Sequence, residues 1–302
     1  MFLQQFPDLK WLKNSINNRF EARKDWQGNS LKHEGWPSVI LNVKTQNIYR
    51  DKIVGPVSLF GNLSGSSAVT VEGRRLEIPE GYFFVSNDKQ EYTLEVEKKG
   101  AETFNVHFGN HFVSQVLQSV VQPGFESDNK NHQKNFRNRL VRINNPTRVT
   151  IKSILKDHSS MNEEEKLFDL LNFLLIHEKE LTKQVQQVPV MKKSTRDEIL
   201  KRLLFAVDLI YSASNQKLSL VQLSQEACLS KFHFLRLFKA AFQKTPYQFI
   251  NEVRVEKAKD LLSSSELSVW EIARNTGFDS SSTFSRTFYN TTGVYPTQFQ
   301  QG

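Results

Sequence analysis

The sequence predicts an α+β chain in two parts. Residues 1–190 form an N-terminal β-barrel with packed helices, and residues 191–302 form an all-α domain in which two helix-turn-helix units are joined by a long helix. Three observations predict this. Short β-rich runs separated by turn residues fill residues 38–108, a strongly apolar helical stripe follows at 162–182, and beyond Ser194 a unit of short helix, tight turn and longer helix occurs twice.

The β-rich runs are Val39–Val43, Val57–Leu63, Ala68–Val71, Leu76–Ile78, Tyr82–Val85, Tyr92–Val96 and Thr103–Phe108. Gly, Ser, Pro, Asn or Asp marks most of the gaps, and Glu72-Gly73 between alternating residues reads as a hairpin turn. Several short strands in this order suggest a barrel or jelly roll. A helix follows from Asn110 to Val121, with Phe112, Val113, Val116, Leu117 and Val120 at helical spacing.

Residues 122–149 are polar and basic and read as a loop. Asn162-Glu163-Glu164-Glu165 then opens a helix with acid in its first turn, which favours the helix dipole. Leu167, Leu171, Leu174 and Leu181 lie on one stripe, widened by Phe168, Phe173, Leu175 and Ile176. A helix this apolar covers the barrel, or covers it and also forms a homodimer contact. Gln184–Ser194, polar and Pro-containing, is the candidate interdomain linker.

The net charge is +8 and the pI about 9.4, with the positive excess densest after Lys192, a balance that suits a polyanionic partner. The single cysteine, Cys228, excludes an intrachain disulfide and a cysteine-based zinc site. The first ten residues lack a signal-peptide pattern, and the longest apolar run, Phe173–Ile176, is too short to span a bilayer. A cytoplasmic location is expected.

In the C-terminal part, Ile199, Leu203, Ala206, Val207 and Ile210 give one apolar face of a first helix. A short helix from Ser219 or Leu220 to about Ala227, a turn at Cys228-Leu229-Ser230 and a helix from Lys231 to Phe242 make the first unit, 220–242. Val269 opens the second unit, 269–290; Gly277-Phe278 breaks it, and Ser281–Tyr289 is its second helix. Leu223 precedes Phe234 by one residue fewer than Ile272 precedes Phe284, so the second turn is one residue longer. Between the units, Tyr247–Leu262 is a rod of roughly 24 Å at about 1.5 Å per residue. Such a rod could hold two helices in successive major-groove segments, about 34 Å apart.

The segment Phe234-Leu235-Arg236-Leu237-Phe238-Lys239, then Thr245-Pro246, Arg254, Ala258 and Leu261-Leu262, resembles the AraC/XylS family. So do Ile272-Ala273, Gly277-Phe278, Phe284-Ser285-Arg286, Phe288, Gly293, Pro296 and Phe299. The resemblance implies a sequence-specific DNA-binding transcription regulator, not an enzyme, with double-stranded DNA as partner. It also favours activation, and hence RNA polymerase as a further partner. By the same resemblance, Phe232, Leu235 and Arg236 of the first recognition helix face DNA. The spacing agrees: Phe232, Leu235, Arg236 and Lys239 share one face beside Lys231, whereas Phe234, Phe238 and Ala241 share the core face.

Leu235 departs from the polar residue usual in the family and reads either as a base contact or as extra packing. Ser281, Ser282, Thr283, Ser285 and Arg286 stand at the corresponding places of the second helix, and Tyr289 stands where the family commonly has lysine. Hydroxyls both donate and accept, so they discriminate bases poorly. The first unit is therefore expected to supply most of the sequence specificity and the second to grip backbone. Cys228 is expected to be a buried packing residue, and His233 to pack or to contact phosphate.

The β-rich region resembles the cupin-like sensing domain that precedes many such DNA-binding domains, through Ile78-Pro79-Glu80-Gly81-Tyr82-Phe83-Phe84-Val85. A cupin metal site needs converging histidines and a carboxylate. Here only His33, His107 and His111 precede the helical part, and Gly109-Asn110 separates the last two, so no metal, cofactor or catalysis is expected. A barrel without metal can still hold a small-molecule effector. Its candidate residues are Phe60, Arg74, Phe84, Tyr92, Phe104 and His107, with Phe83 and Arg75 beside them. A one-residue register error would invert every inward assignment. Two alternatives stand: an N-terminal domain that binds a protein partner or only dimerises, and, more remotely, a metal-dependent cupin enzyme fused to a DNA-binding module.

Overall fold

A computed structural model describes residues 2–6, 38–120, 136–157, 163–189 and 192–301. His33 and residues 122–135 of the expected 122–149 loop lie outside the described residues. The chain divides into two compact units, Met1–Glu180 and Leu181–Gly302.

The first unit carries strands β1 (Phe2–Leu3), β2 (Val39–Thr45), β3 (Ile48–Val54), β4 (Ser58–Gly65), β5 (Ser67–Val71), β6 (Arg74–Ile78), β7 (Tyr82–Ser86), β8 (Glu91–Val96), β9 (Ala101–His107) and β10 (Arg139–Arg142). They form two sheets, ordered β1-β2-β9-β4-β7-β10 and β3-β8-β5-β6. Where a barrel or jelly roll was expected, the described strands form two open sheets and no closed barrel. The four-stranded sheet ends on β3 and β6, whose Arg50, Asp51, Lys52, Arg75 and Glu77 make poor pairing edges. The hairpin read at Glu72-Gly73 is present: Val71 pairs with Arg74, and both turn residues have positive φ, as a two-residue primed turn requires.

The six-stranded sheet is apolar on both faces. Its Ile40, Leu59, Phe83, Val85, Phe104 and Val106 form the main core with helices α1 (Asn110–Val120), α2 (Asn145–Lys156) and α3 (Glu163–Gln186). Residues of the opposite parity, including Val39, Leu41, Phe60, Asn105 and His107, line a cavity together with Ile53, Tyr92 and Leu94 of the other sheet. The alternation along each strand sorts the two sets.

Two elements had no clear signal. β3 reads as polar alternation. β10, only four residues flanked by arginine, lies in the segment expected to be a loop, as does the start of α2. Burial of β10 is made possible by Glu178 on α3. That carboxylate is only 1% exposed and accepts from Arg137 Nη1 at 2.9 Å and Arg139 Nη2 at 2.8 Å. α2 starts where the Asn144 side chain accepts from the Thr147 N–H at 3.0 Å, with Pro146 in its first turn.

The second unit contains α4 (Lys193–Ala213), α5 (Leu220–Glu226), α6 (Lys231–Phe242), α7 (Pro246–Ser264), α8 (Val269–Asn275), α9 (Ser281–Thr292) and α10 (Pro296–Gln301). Ser219, Ser230, Thr245, Ser268 and Ser280 cap α5 to α9, and Gln222, Gln248 and Glu271 complete three capping boxes. Two separate apolar cores result. Leu203, Ala206, Ile210, Leu223, Phe234 and Phe238 make the first, and Ile272, Phe278, Phe284 and Phe288 the second. α7 serves both: Ile250 and Val253 enter the first core, Val255, Ala258 and Leu262 the second. Its apolar residues therefore follow no single stripe.

Candidate nucleic-acid interface

The two helix-turn-helix units repeat bond for bond. In the first turn, Cys228 N–H donates to Gln225 O at 2.9 Å and Leu229 N–H to Ser224 O at 2.9 Å. In the second, Gly277 N–H donates to Arg274 O at 3.0 Å and Phe278 N–H to Ala273 O at 2.9 Å. The extra residue of the second turn, Asp279, precedes the Ser280 cap. Phe234 and Phe238 in α6 match Phe284 and Phe288 in α9 as the buried rows that orient each helix.

With those rows buried, the opposite faces are left outward. On α6, Phe232 is 88% exposed, and Lys231, Arg236 and Lys239 are exposed as well. Leu235 is half-buried, and His233 is exposed, its N–H held by the Ser230 cap. On α9, Ser282, Thr283 and Arg286 are exposed while Ser281 and Ser285 are half-buried. Part of the hydroxyl row is already engaged, because Ser280 Oγ lies 3.0 Å from Thr283 Oγ1. Tyr289 stacks on Tyr295 at 4.6 Å between ring centres.

Cys228, expected to be buried, is exposed. It sits in the turn with a positive φ of 51°. Arg274, whose guanidinium lies 4.9 Å over the Trp270 ring, is a further exposed cation of the second unit. Its signal was the four-residue spacing of the two residues on α8.

Of the residues read as an effector site, Phe60, Tyr92 and His107 come together around the cavity, which is about 70 Å³. Phe84 is buried but off its lining, Phe104 and Phe83 lie in the core on the helix side, and Arg74 lies on β6 beyond the hairpin. Asn105 and Arg50 also line it, beyond the residues the sequence points to. Asn105 was legible as a polar residue two before His107 on one strand. Arg50 was not, because β3 was not recognised. Its guanidinium lies 4.7 Å over the Phe6 ring.

The Phe60 ring centre lies 4.9 Å from that of Tyr92 and 5.6 Å from that of His107, the latter pair edge to face. Ser58 Oγ lies 2.8 Å from both Pro56 O and His107 Nδ1. The hydroxyl has one proton and the carbonyl can only accept, so Nδ1–H donates to Ser58 and Nε2 is the ring's acceptor. What surface His107 shows is cavity wall. Burial accordingly holds its imidazole down to about 4 and raises the Tyr92 phenol above its usual value. Among the described residues, no His, Cys, Asp and Glu cluster could hold a metal ion, and no helix is long and apolar enough to cross a membrane.

Residues 223–302 match the family described as "Helix-turn-helix domain". The MmsAB operon regulatory protein of Pseudomonas aeruginosa is 38% identical over 85 residues, 28% of this chain and 28% of that protein. The match thus spans under a third of that relative. The HTH-type transcriptional regulator YdeC of Bacillus subtilis is 23% identical over 253 residues, 79% of this chain and 81% of its own length. Among solved structures, the DNA-binding domain of AdpA in complex with a target DNA aligns with 33% of this chain and 90% of that one. Its identity is 26% and its TM-score 0.32. The paired units, their caps and this family match together identify the C-terminal part of the chain as a helix-turn-helix DNA-binding domain of the AraC type.

Proposed function

We propose that the whole chain is a transcription regulator that reads DNA through α6 and α9 in successive major-groove segments. The observation that carries this reading is the pair of recognition helices, each buried on its phenylalanine row and outward on the other face. Phe232 and Leu235 suit thymine methyls, and Arg236 suits a guanine edge or a phosphate. Lys231 and Lys239 suit phosphates, and the hydroxyls and Arg286 of α9 suit backbone. The first unit then carries most of the specificity. Selection from random duplexes with the full chain tests the reading: one box read by α6 should be strongly enriched and a second, at a fixed offset, only weakly, with binding that weakens steeply as salt rises. Binding without enrichment of any sequence would contradict it.

Activation, with RNA polymerase as partner, rests on the resemblance of the C-terminal domain. The cupin-like reading of the first unit, now as two open sheets, makes the Phe60, Tyr92 and His107 cavity the place for a small effector. One observation favours the alternative, a domain that binds a protein or dimerises through α3: about 70 Å³ is far below the ~300 Å³ at which ligand pockets begin. Exposed Phe168 and Ile176 on α3 suit that role. A thermal-shift screen against small metabolites, with His107→Phe as the filled-cavity control, separates the two. A shift lost in the control supports the effector; no shift, with a concentration-dependent dimer, supports the alternative.

A further inference from the structure

The two helix-turn-helix units have separate apolar cores, joined along the chain by α7 alone. They also meet directly. A Cβ on Gly277, in the turn between α8 and α9, would lie 2.8 Å from Ser214 O and 2.9 Å from the Cα and carbonyl carbon of Asn215. The backbone of the second turn therefore packs on the C-terminal end of α4, the helix that builds the first core.

Arg254, midway along α7, holds this junction. Its Nε donates to Ser214 O at 2.8 Å and its Nη2 to Gln216 O at 2.9 Å. Carbonyls at a helix end have no intrahelical donor, and the guanidinium's rigid fork serves two at once. The same guanidinium lies 5.6 Å from the centre of the Phe278 ring, in the residue that follows Gly277. Lys257, nearly one turn further along α7, reaches Ser214 Oγ at 3.3 Å. Ser214, Thr276 and Phe278 are all buried at this contact.

We propose that Arg254 is a positioning residue for DNA recognition. By holding the end of α4 against the turn between α8 and α9, it fixes the distance and angle between α6 and α9. It thereby fixes the number of base pairs between the two boxes that the domain reads. Nothing in this requires Arg254 to touch DNA.

The test uses the full chain in a Cys228→Ser background, spin-labelled through Lys239→Cys on α6 and Asn290→Cys on α9. Pulsed dipolar spectroscopy should show one narrow distance peak in the parent. Arg254→Ala should lose that peak to a broad distribution, and Arg254→Lys, which keeps the charge but reaches one carbonyl at a time, should broaden it in part. Phe299→Ala, which loosens the second core away from the junction, should leave the peak narrow. Without labels, the parent should lose binding when one base pair is inserted between its selected boxes, and Arg254→Ala should tolerate the insertion. An unchanged peak in Arg254→Ala, or equal broadening in Phe299→Ala, would overturn the proposal. Should Arg254→Ala fail to fold, Arg254→Lys carries the test: partial broadening supports the proposal, and a peak as narrow as the parent's overturns it.

Discussion

Cys228 and Gly277 stand at the same place in the two helix-turn-helix turns, both in the left-handed region, with φ of 51° and 88°. The second is glycine, and a Cβ there would press on backbone, whereas Cys228 is exposed. A side chain there costs strain in one unit and strain plus a clash in the other.

Cys228→Gly should therefore raise stability by at most about 1 kcal/mol, the relief of left-handed strain being partly offset by a more flexible unfolded chain. Gly277→Ala should lower it by roughly 1–3 kcal/mol or more, since strain of that order adds to the contact with Ser214 O. Urea unfolding of the full chain reads both. A stabilising Gly277→Ala would show that the two turns do not differ in this way.

Phe232 and Phe234 separate reading from folding. Phe234→Ala should cost about 3–5 kcal/mol, the usual loss for a buried phenylalanine. Phe232→Ala, at a position 88% exposed, should stay within ±0.5 kcal/mol of the parent and instead weaken DNA binding. Thermal melts beside binding isotherms decide. Loss of stability without loss of binding in Phe232→Ala would place that ring in the fold rather than at the DNA.

The Glu178 carboxylate faces two arginines in a nearly closed site. Removing one partner of such a cluster leaves charge buried without compensation, so Glu178→Ala should destabilise the first unit by about 3–5 kcal/mol. Unfolding followed by a probe in the β-rich unit should show it, with the melting of α4–α10 unchanged. A loss below about 1 kcal/mol, the range of exposed pairs, would contradict the account.

His107 and His177 are both held down to about 4 by burial, with Arg139 adding to the effect at His177. The unfolded chain protonates them near the ordinary value of 6.5 and the folded chain does not until about 4. Protons are thus taken up on unfolding, and their contribution, complete above about 6.5, drains away as pH falls towards 4. For His107 it is at most about 3 kcal/mol. His107→Phe should flatten the acid limb of a stability-against-pH curve; an unaltered limb would mean that His107 is not buried neutral.

Much of this was legible in the sequence, for physical reasons. The phenylalanine rows of α6 and α9, the serine and threonine caps and the glycine turn are local signals, each repeated. The helix at 162–182 and the Glu72-Gly73 hairpin were local too. β3 and β10 were not, because their burial depends on partners distant in the chain: β8 for β3, and β7 with Glu178 for β10. Phe84 and Phe104 were read as companions of Phe60, yet the pleat puts Phe104 on the helix side and leaves Phe84 off the cavity lining. Residue type suggests burial for Cys228, whereas its place in the turn leaves it exposed.

In the proposed reading α6 supplies most of the sequence specificity and α9 mainly grips backbone. Fluorescence anisotropy, with the selected duplex and single-base-pair variants of each box, compares the parent chain with Arg236→Ala and Arg286→Ala. Arg236→Ala should relax discrimination at one position by about 1–3 kcal/mol, whereas Arg286→Ala should weaken binding to all duplexes nearly alike and lower the salt slope by about one. Equal loss of base discrimination in the two variants would contradict it.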